Sequence, residues 1–298
     1  MSIISINNLT KDYGNGKGIF DVSINIKKGE VYGYLGPNGA GKSTTMRHLM
    51  GFIKAEKGSV TIDNLDCWKE QKKIQANLGY LPGEIAFPDD MKGLEYLHLI
   101  AKMRKMKDFS YAEKLLNLFE INPNSQIKRM SKGMKQKIAI VAAFMHNPDI
   151  ILLDEPTSGL DPLMQNIFIE LIKEEKSKGK TIILSSHIFE EVQKVCDRVG
   201  IIKNGKLIKE ISIDELKYSQ FKTYEIEFKT PEDLDKMKIK YPNATYKIEE
   251  NQMVISINDE EINKLISDLS LCKVRFLKEQ KHTLEEYFMK FYGGSDNV

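Results

Sequence analysis

Gly36-Pro37-Asn38-Gly39-Ala40-Gly41-Lys42-Ser43 spells G-x-x-x-x-G-K-S, a set of residue types spaced to hold a phosphate. The glycines let the backbone curl until several amide N–H groups point at one anion. Residues 44–50, beginning with Thr44, read as a helix closed by Gly51. The loop therefore feeds a helix N-terminus, whose partial positive charge adds to the same field. Lys42 has the reach and charge for the β- and γ-phosphates, and Ser43 has a hydroxyl for Mg²⁺. Residues 30–35 read as the strand that delivers the loop.

Phosphate transfer also needs a carboxylate for the metal and a base for water. Asp149-Ile150-Ile151-Leu152-Leu153-Asp154-Glu155 supplies both. Four aliphatic residues in a row suit a fully buried central strand. An acid at the C-terminal end of such a strand lies where open α/β sheets place ligands. Asp154 is the candidate metal carboxylate, and Glu155 is the candidate general base. Taken alone, the pair would better suit a core strand followed by a capped turn.

With these motifs in hand the chain resembles the ATP-binding-cassette (ABC) transporter ATPase subunits. Ser158-Gly159-Leu160-Asp161 resembles that family's D-loop, with Asp161 its coupling acid. Ile182-Ile183-Leu184-Ser185-Ser186-His187 reads as a buried strand ending in a histidine similar to the family's switch residue. Ser131-Lys132-Gly133-Met134-Lys135-Gln136-Lys137 resembles the family signature. Tyr13 resembles the aromatic that stacks on adenine. The resemblance covers roughly residues 1–217.

The sequence departs from the family pattern twice. Lys132 and Met134 stand where the signature has Gly and Gln, a form similar to that of an ABC-2-type bacterial exporter subgroup. After Leu81-Pro82 the family has a glutamine beside the metal and the attacking water; here Gly83 and then Glu84 follow. Glycine has no side chain for that task, so either Glu84 substitutes or the loop couples without touching the metal.

Composition agrees. Lys+Arg 44 against Asp+Glu 42 leaves a net charge of +2, which gives no global electrostatic case for nucleic acid. Three widely spaced cysteines suggest reduced thiols, with neither a disulfide frame nor a metal site. Residues 1–6 enter a strand without a basic start, so no secretory signal is expected. The longest apolar run, from Ile138 to Met145, falls far short of the ~20 residues of a spanning helix.

The elements that must position these groups can be read coarsely. Residues 1–35 and 58–63 are β-rich. Residues 92–146 are helical, with Leu94, Leu97, His98 and Ala101 on one face and Leu115, Leu118 and Phe119 on another. Ser131 is placed to cap the helix that carries the signature. From residue 147, strands at 150–153, 181–185 and 198–203 alternate with helices, as in a mostly parallel sheet. Residues 218–298 read as a separate α+β unit. Its strands fall at 224–228, 244–249, 253–257 and 274–277, with a hairpin about Asn251. Helices are expected at 231–238 and 259–269, with a terminal one opening at Thr283.

The expected fold is therefore an α/β cassette of the P-loop NTPase type: a mostly parallel core sheet, an antiparallel β subdomain and a helical subdomain at about 84–147. It spans residues 1–217 and is followed by the small accessory unit at 218–298. The resemblance implies ATP and Mg²⁺ as ligands and a homodimer with two shared sites. Each ATP would lie between residues 36–44 of one copy and the signature residues Ser131, Lys132, Gly133 and Met134 of the other. Lys42 and His187 would contact the γ-phosphate, Ser43 and Asp154 would place Mg²⁺, and Glu155 would activate water. It further implies a separate transmembrane permease, with the chain at the cytoplasmic face of the membrane. The permease is expected to dock between the Gly83 loop and residues 92–120, near Met91, Leu94, Tyr96 and Leu97. The alternative is a soluble ABC ATPase without a transport role. The span between Lys42 and Ser131 leaves no room for the coiled coil of chromosome-structure ATPases, and the single cassette sets the chain apart from the two-cassette translation factors.

Overall fold

The computed structural model describes residues 2–88, 90–217 and 221–280. The chain divides into two compact units, Met1–Ser212 and Ile213–Val298.

In the first unit, β1 (Ser2–Asp12) and β2 (Gly18–Lys27) form an antiparallel pair whose alternate residues Ile4, Ile6, Val22, Ile24 and Ile26 are buried. β3 (Val31–Leu35) has no exposed residue and runs into the glycine loop, from which α1 (Lys42–Leu49) emerges. β4 (Lys57–Ile62) and β5 (Leu65–Asp66) complete a four-stranded sheet in the order β2-β1-β4-β5. α2 (Gln71–Ala76) then leads to β6 (Leu78–Leu81).

The helical block follows as α3 (Gly93–Met103), α4 (Ser110–Leu118) and α5 (Lys132–Phe144). Leu97, Leu115, Phe119 and Ile138 are fully buried there. The face expected from the sequence is right for Leu97 and Ala101 but not for His98. That residue is exposed and stacks on Phe109 with ring centroids 4.5 Å apart.

The chain returns to the central sheet through β7 (Ile150–Asp154), α6 (Pro162–Ser177), β8 (Thr181–Ser186), α7 (Phe189–Val195), β9 (Arg198–Lys203) and β10 (Lys206–Ser212). The strand order is β10-β9-β3-β8-β7-β6, parallel except for the antiparallel edge strand β10. β7 and β8 are buried along their whole length, as a sheet covered on both faces requires. The C-terminal ends of β3, β7 and β8 deliver Gly36, Asp154 and His187.

The second unit contains α8 (Ile213–Lys217), β11 (Phe221–Phe228), α9 (Pro231–Lys240), β12 (Thr245–Lys247), β13 (Gln252–Asn258), α10 (Ile262–Leu269) and β14 (Val274–Gln280). Asn251 turns the β12–β13 hairpin with φ of 49°, a conformation asparagine tolerates. From β11 onward the order is βαββαβ, and the sheet reads β12-β13-β11-β14 with every pairing antiparallel. This is the split βαβ, ferredoxin-like arrangement. Leu234 and Met237 of α9 and Leu265 and Leu269 of α10 share one core with Ile226, Phe228, Met253 and Ile255. The helix expected from Thr283 lies outside the described residues.

Candidate functional site

The glycine loop folds as its spacing requires. Gly39 and Gly41 adopt φ of 80° and 110°, which side-chain-bearing residues rarely do. A Cβ at Gly36 would meet the Ile202 carbonyl oxygen at 2.4 Å, so only glycine permits that approach. No side chain caps α1, which leaves its first-turn amides to an anion. Pro37 and Asn38 are exposed at the rim, whereas Ala40 is buried and its carbonyl accepts a 3.0 Å bond from Gly205 N.

Lys42 is 6% exposed. Its ammonium donates to the Gly36 and Pro37 carbonyls at 2.7 and 3.2 Å and lies 3.0 Å from Glu155 Oε1. The second Glu155 oxygen lies 2.7 Å from Nδ1 of His187, which is otherwise half exposed. One carboxylate thus spans from the phosphate-loop lysine to the histidine at the end of β8. Glu155 holds φ of 51°, a left-handed conformation uncommon for glutamate, and it is pinned there by amide bonds to the Ser185 carbonyl and hydroxyl at 3.2 and 3.1 Å. Asp154, 1% exposed, accepts a hydrogen bond from the Ser185 hydroxyl. Its negative charge assists burial in pushing the Tyr80 phenol up to about 12.

A cavity of about 400 Å³ opens beside these groups. Tyr13, Lys17, Gly18, Asn38, Gly39, Gly41, Lys42, Ser43, Thr44 and Glu155 line it. Tyr13 is half exposed, and the Lys11 ammonium stands 5.4 Å from its ring centroid. Sequence reasoning missed Lys17 and Gly18. They leave a turn that carries no phosphate-binding pattern of its own, and only the position of Tyr13 pointed to that region.

The signature lies elsewhere. Ser131 caps α5, its hydroxyl accepting from Met134 N at 3.2 Å. Lys132 donates to the Ser158 hydroxyl at 3.0 Å, and a Cβ on Gly133 would stand 2.7 Å from the Gly159 carbonyl oxygen. The signature therefore packs on the turn after Glu155 in its own chain, and none of these residues lines the cavity. Asp161 caps α6 by accepting from Met164 N at 3.0 Å. A Cβ on Gly83 would lie 3.1 Å from Asp154 Oδ2, whereas Glu84 is exposed. In the expected docking region Leu97 is fully buried and belongs to the core. Tyr96 meets Phe87 edge to face at 4.9 Å.

The parallel sheet, the glycine loop at one strand end and the acidic pair at another define a P-loop nucleotide-binding cassette. The family described as ABC transporter matches residues 19–158. The bacitracin transport ATP-binding protein BcrA of Bacillus licheniformis is 32% identical across 98% of this chain and 98% of its own length. The ABC transporter ATP-binding protein NatA of Bacillus subtilis is 40% identical over 68% of this chain and 85% of its own. A dimeric ATP-binding cassette solved in a post-hydrolysis state with ADP and Pi superposes with TM-score 0.65 at 27% identity, covering 70% of this chain and 98% of that one. The chain belongs to the ABC transporter ATP-binding proteins.

Proposed function

We propose that this chain is the ATP-binding and ATP-hydrolysing subunit of an exporter. It works as a nucleotide-sandwich homodimer that drives a separate transmembrane permease of the ABC-2 type. The observation that carries the reading is the line Lys42–Glu155–His187, in which Lys42 and Glu155 line the cavity with the phosphate loop and His187 meets Glu155 from outside that lining.

Each residue then has a task. Tyr13 stacks on the adenine. The amides of residues 36–44 cradle the phosphates. Lys42 exchanges its loop carbonyls and Glu155 for the γ-phosphate, which frees the Glu155 carboxylate to accept a proton from water. His187 orients Glu155 and reaches the same phosphate. Ser131, Lys132, Gly133 and Met134 of a second copy close the site, and Asp161 couples the two sites.

The chemistry of the donor set suits a hard cation: Ser43 offers a hydroxyl at the start of α1, Asp154 offers a carboxylate at the end of β7, and α1 packs on β7. Among the described residues no three His, Cys, Asp or Glu side chains gather into a metal cluster, so such an ion would complete its shell with phosphate oxygens. Bound there, Mg²⁺ would neutralise the charge that develops on the transferring phosphoryl group.

Among the described residues no helix is long and apolar enough to cross a membrane, and the reading therefore places the chain at the cytoplasmic membrane face through its permease. The permease would dock beside the Gly83 loop and α3. BcrA and NatA, named as ATP-binding proteins of transporters, support the transport role. Purification of the tagged protein from detergent-solubilised membranes tests it. A polytopic membrane protein should co-purify with ATPase activity. Recovery from the soluble fraction alone would favour a soluble ABC ATPase.

A further inference from the structure

Glu191 lies on α7, four residues beyond His187, and is 5% exposed. Its Oε2 accepts a 2.7 Å hydrogen bond from the Thr157 hydroxyl and a longer one, 3.4 Å, from the Ser186 hydroxyl. Its Oε1 is buried and meets no donor among the described residues. Thr157 stands two residues after Glu155, in the turn whose Ser158 amide bonds back to the Glu155 carbonyl at 3.2 Å. Ser186 immediately precedes His187, and its hydroxyl also accepts from Ile188 N at 2.9 Å. Beyond the β7–β8 pairing and the Glu155 amide bonds to Ser185, side chains join the two segments at two further places: directly by Glu155 and His187, and behind them by Thr157, Glu191 and Ser186.

We infer that Glu191 is a positioning residue that sets the spacing of Glu155 and His187. The cost of burying this carboxyl argues for a purpose. Burial pushes its pKa up, the two hydroxyls offset part of that, and an apolar residue would pack at less expense. The bond to Thr157 holds the turn after Glu155, and the bond to Ser186 holds the strand end before His187. The β7–β8 pairing and the Glu155 amide fix the register as far as Ser185; past that point the 2.7 Å contact between Glu155 and His187 would lose this support. The inference rests on Glu155 acting on water, as proposed above.

The test uses the full-length protein and compares wild type, Glu191→Ala, Thr157→Val and Glu191→Gln. The measurements are steady-state ATP turnover, binding of a fluorescent ATP analogue and melting temperature. Misplacing a catalytic group by a fraction of an ångström costs turnover and leaves binding intact, so Glu191→Ala and Thr157→Val should each lower kcat about tenfold with KM and analogue affinity within about twofold. Glutamine still offers a carbonyl oxygen to both hydroxyls, so Glu191→Gln should recover kcat to within about threefold of wild type. Wild-type turnover in Glu191→Ala overturns the inference. So does an equal fall in affinity and kcat, or a Glu191→Gln as impaired as Glu191→Ala. If Glu191→Ala fails to fold, Thr157→Val decides by the same criteria. A wild-type protein that hydrolyses no ATP would instead refute the ATPase reading.

Discussion

Lys42 Nζ and Glu155 Oε1 stand 3.0 Å apart, a lysine from the phosphate loop and a glutamate from the end of β7 joined in one ion pair. The partners come from separate motifs, and the sheet order that puts β8 between β3 and β7 brings them together. Removing the Glu155 charge tests both ends of the pair. Glu155→Gln should bind ATP within about threefold of wild type, while turnover falls by about 10²–10⁴ through loss of the base. Size-exclusion chromatography with ATP should show the variant accumulating as a dimer.

Gly83 makes a second prediction. Its backbone lies against Asp154, and Glu84 is the next residue along the chain. Glu84→Ala should raise the Mg²⁺ concentration needed for half-maximal turnover about tenfold, the lower end of the effect of losing one outer-shell partner. An unchanged Mg²⁺ titration would make Glu84 a surface residue only.

Every side chain that lines the cavity precedes residue 156. Deleting residues 218–298 should therefore leave ATP-analogue affinity within about twofold while turnover or dimerisation shifts. Loss of binding in a truncated protein that remains folded by circular dichroism would contradict this separation.

Gly133 faces the Gly159 carbonyl with no room for a methyl group. Gly133→Ala should cost about 1–3 kcal/mol of stability, the usual price of overpacking, read as a lowered melting temperature. Turnover should fall with it, because the displaced turn begins at Glu155.

His146 and His48 give the fold a pH dependence. Burial is the main cause of lowering in both, and it brings His146 to about 4. The unfolded chain, with an ordinary imidazole near 6.5, then binds more protons than the folded one between about pH 4 and 6.5, so stability rises with pH across that window and is lost as pH falls through it. His146 is partly exposed, and after discounting for solvent its share is about 1 kcal/mol. His146→Gln should flatten the decline in melting temperature between pH 7 and 5 relative to wild type.

The local parts of this protein were legible because their chemistry is local. The loop from Gly36 to Ser43 needs glycines at particular steps, β7 needs an unbroken aliphatic run, and Ser131 needs a polar cap before a helix. Each leaves its mark within a few residues. What pairs with what was not legible. Period-2 alternation identifies β11 as a strand, and short apolar runs suggest β13 and β14, yet the order β12-β13-β11-β14 depends on which edges meet, and no single strand carries that information. His98 sits at helical spacing from Leu94 and Ala101, but it is exposed and stacks on the ring of Phe109. Lys17 and Gly18 reach the cavity through the folding of the β1–β2 turn. Glu191 gains its meaning only when Thr157, 34 residues earlier in the chain, is brought against it.

The left-handed backbone at Glu155 bears on how this sequence can drift. Glycine would adopt φ of 51° without steric penalty, and asparagine with little, whereas glutamate pays about 1 kcal/mol or more to be there. Replacing it would relieve that strain but leave the buried Lys42 ammonium without its carboxylate. On the proposed reading the carboxylate at this position serves turnover, against the preference of the main chain beneath it.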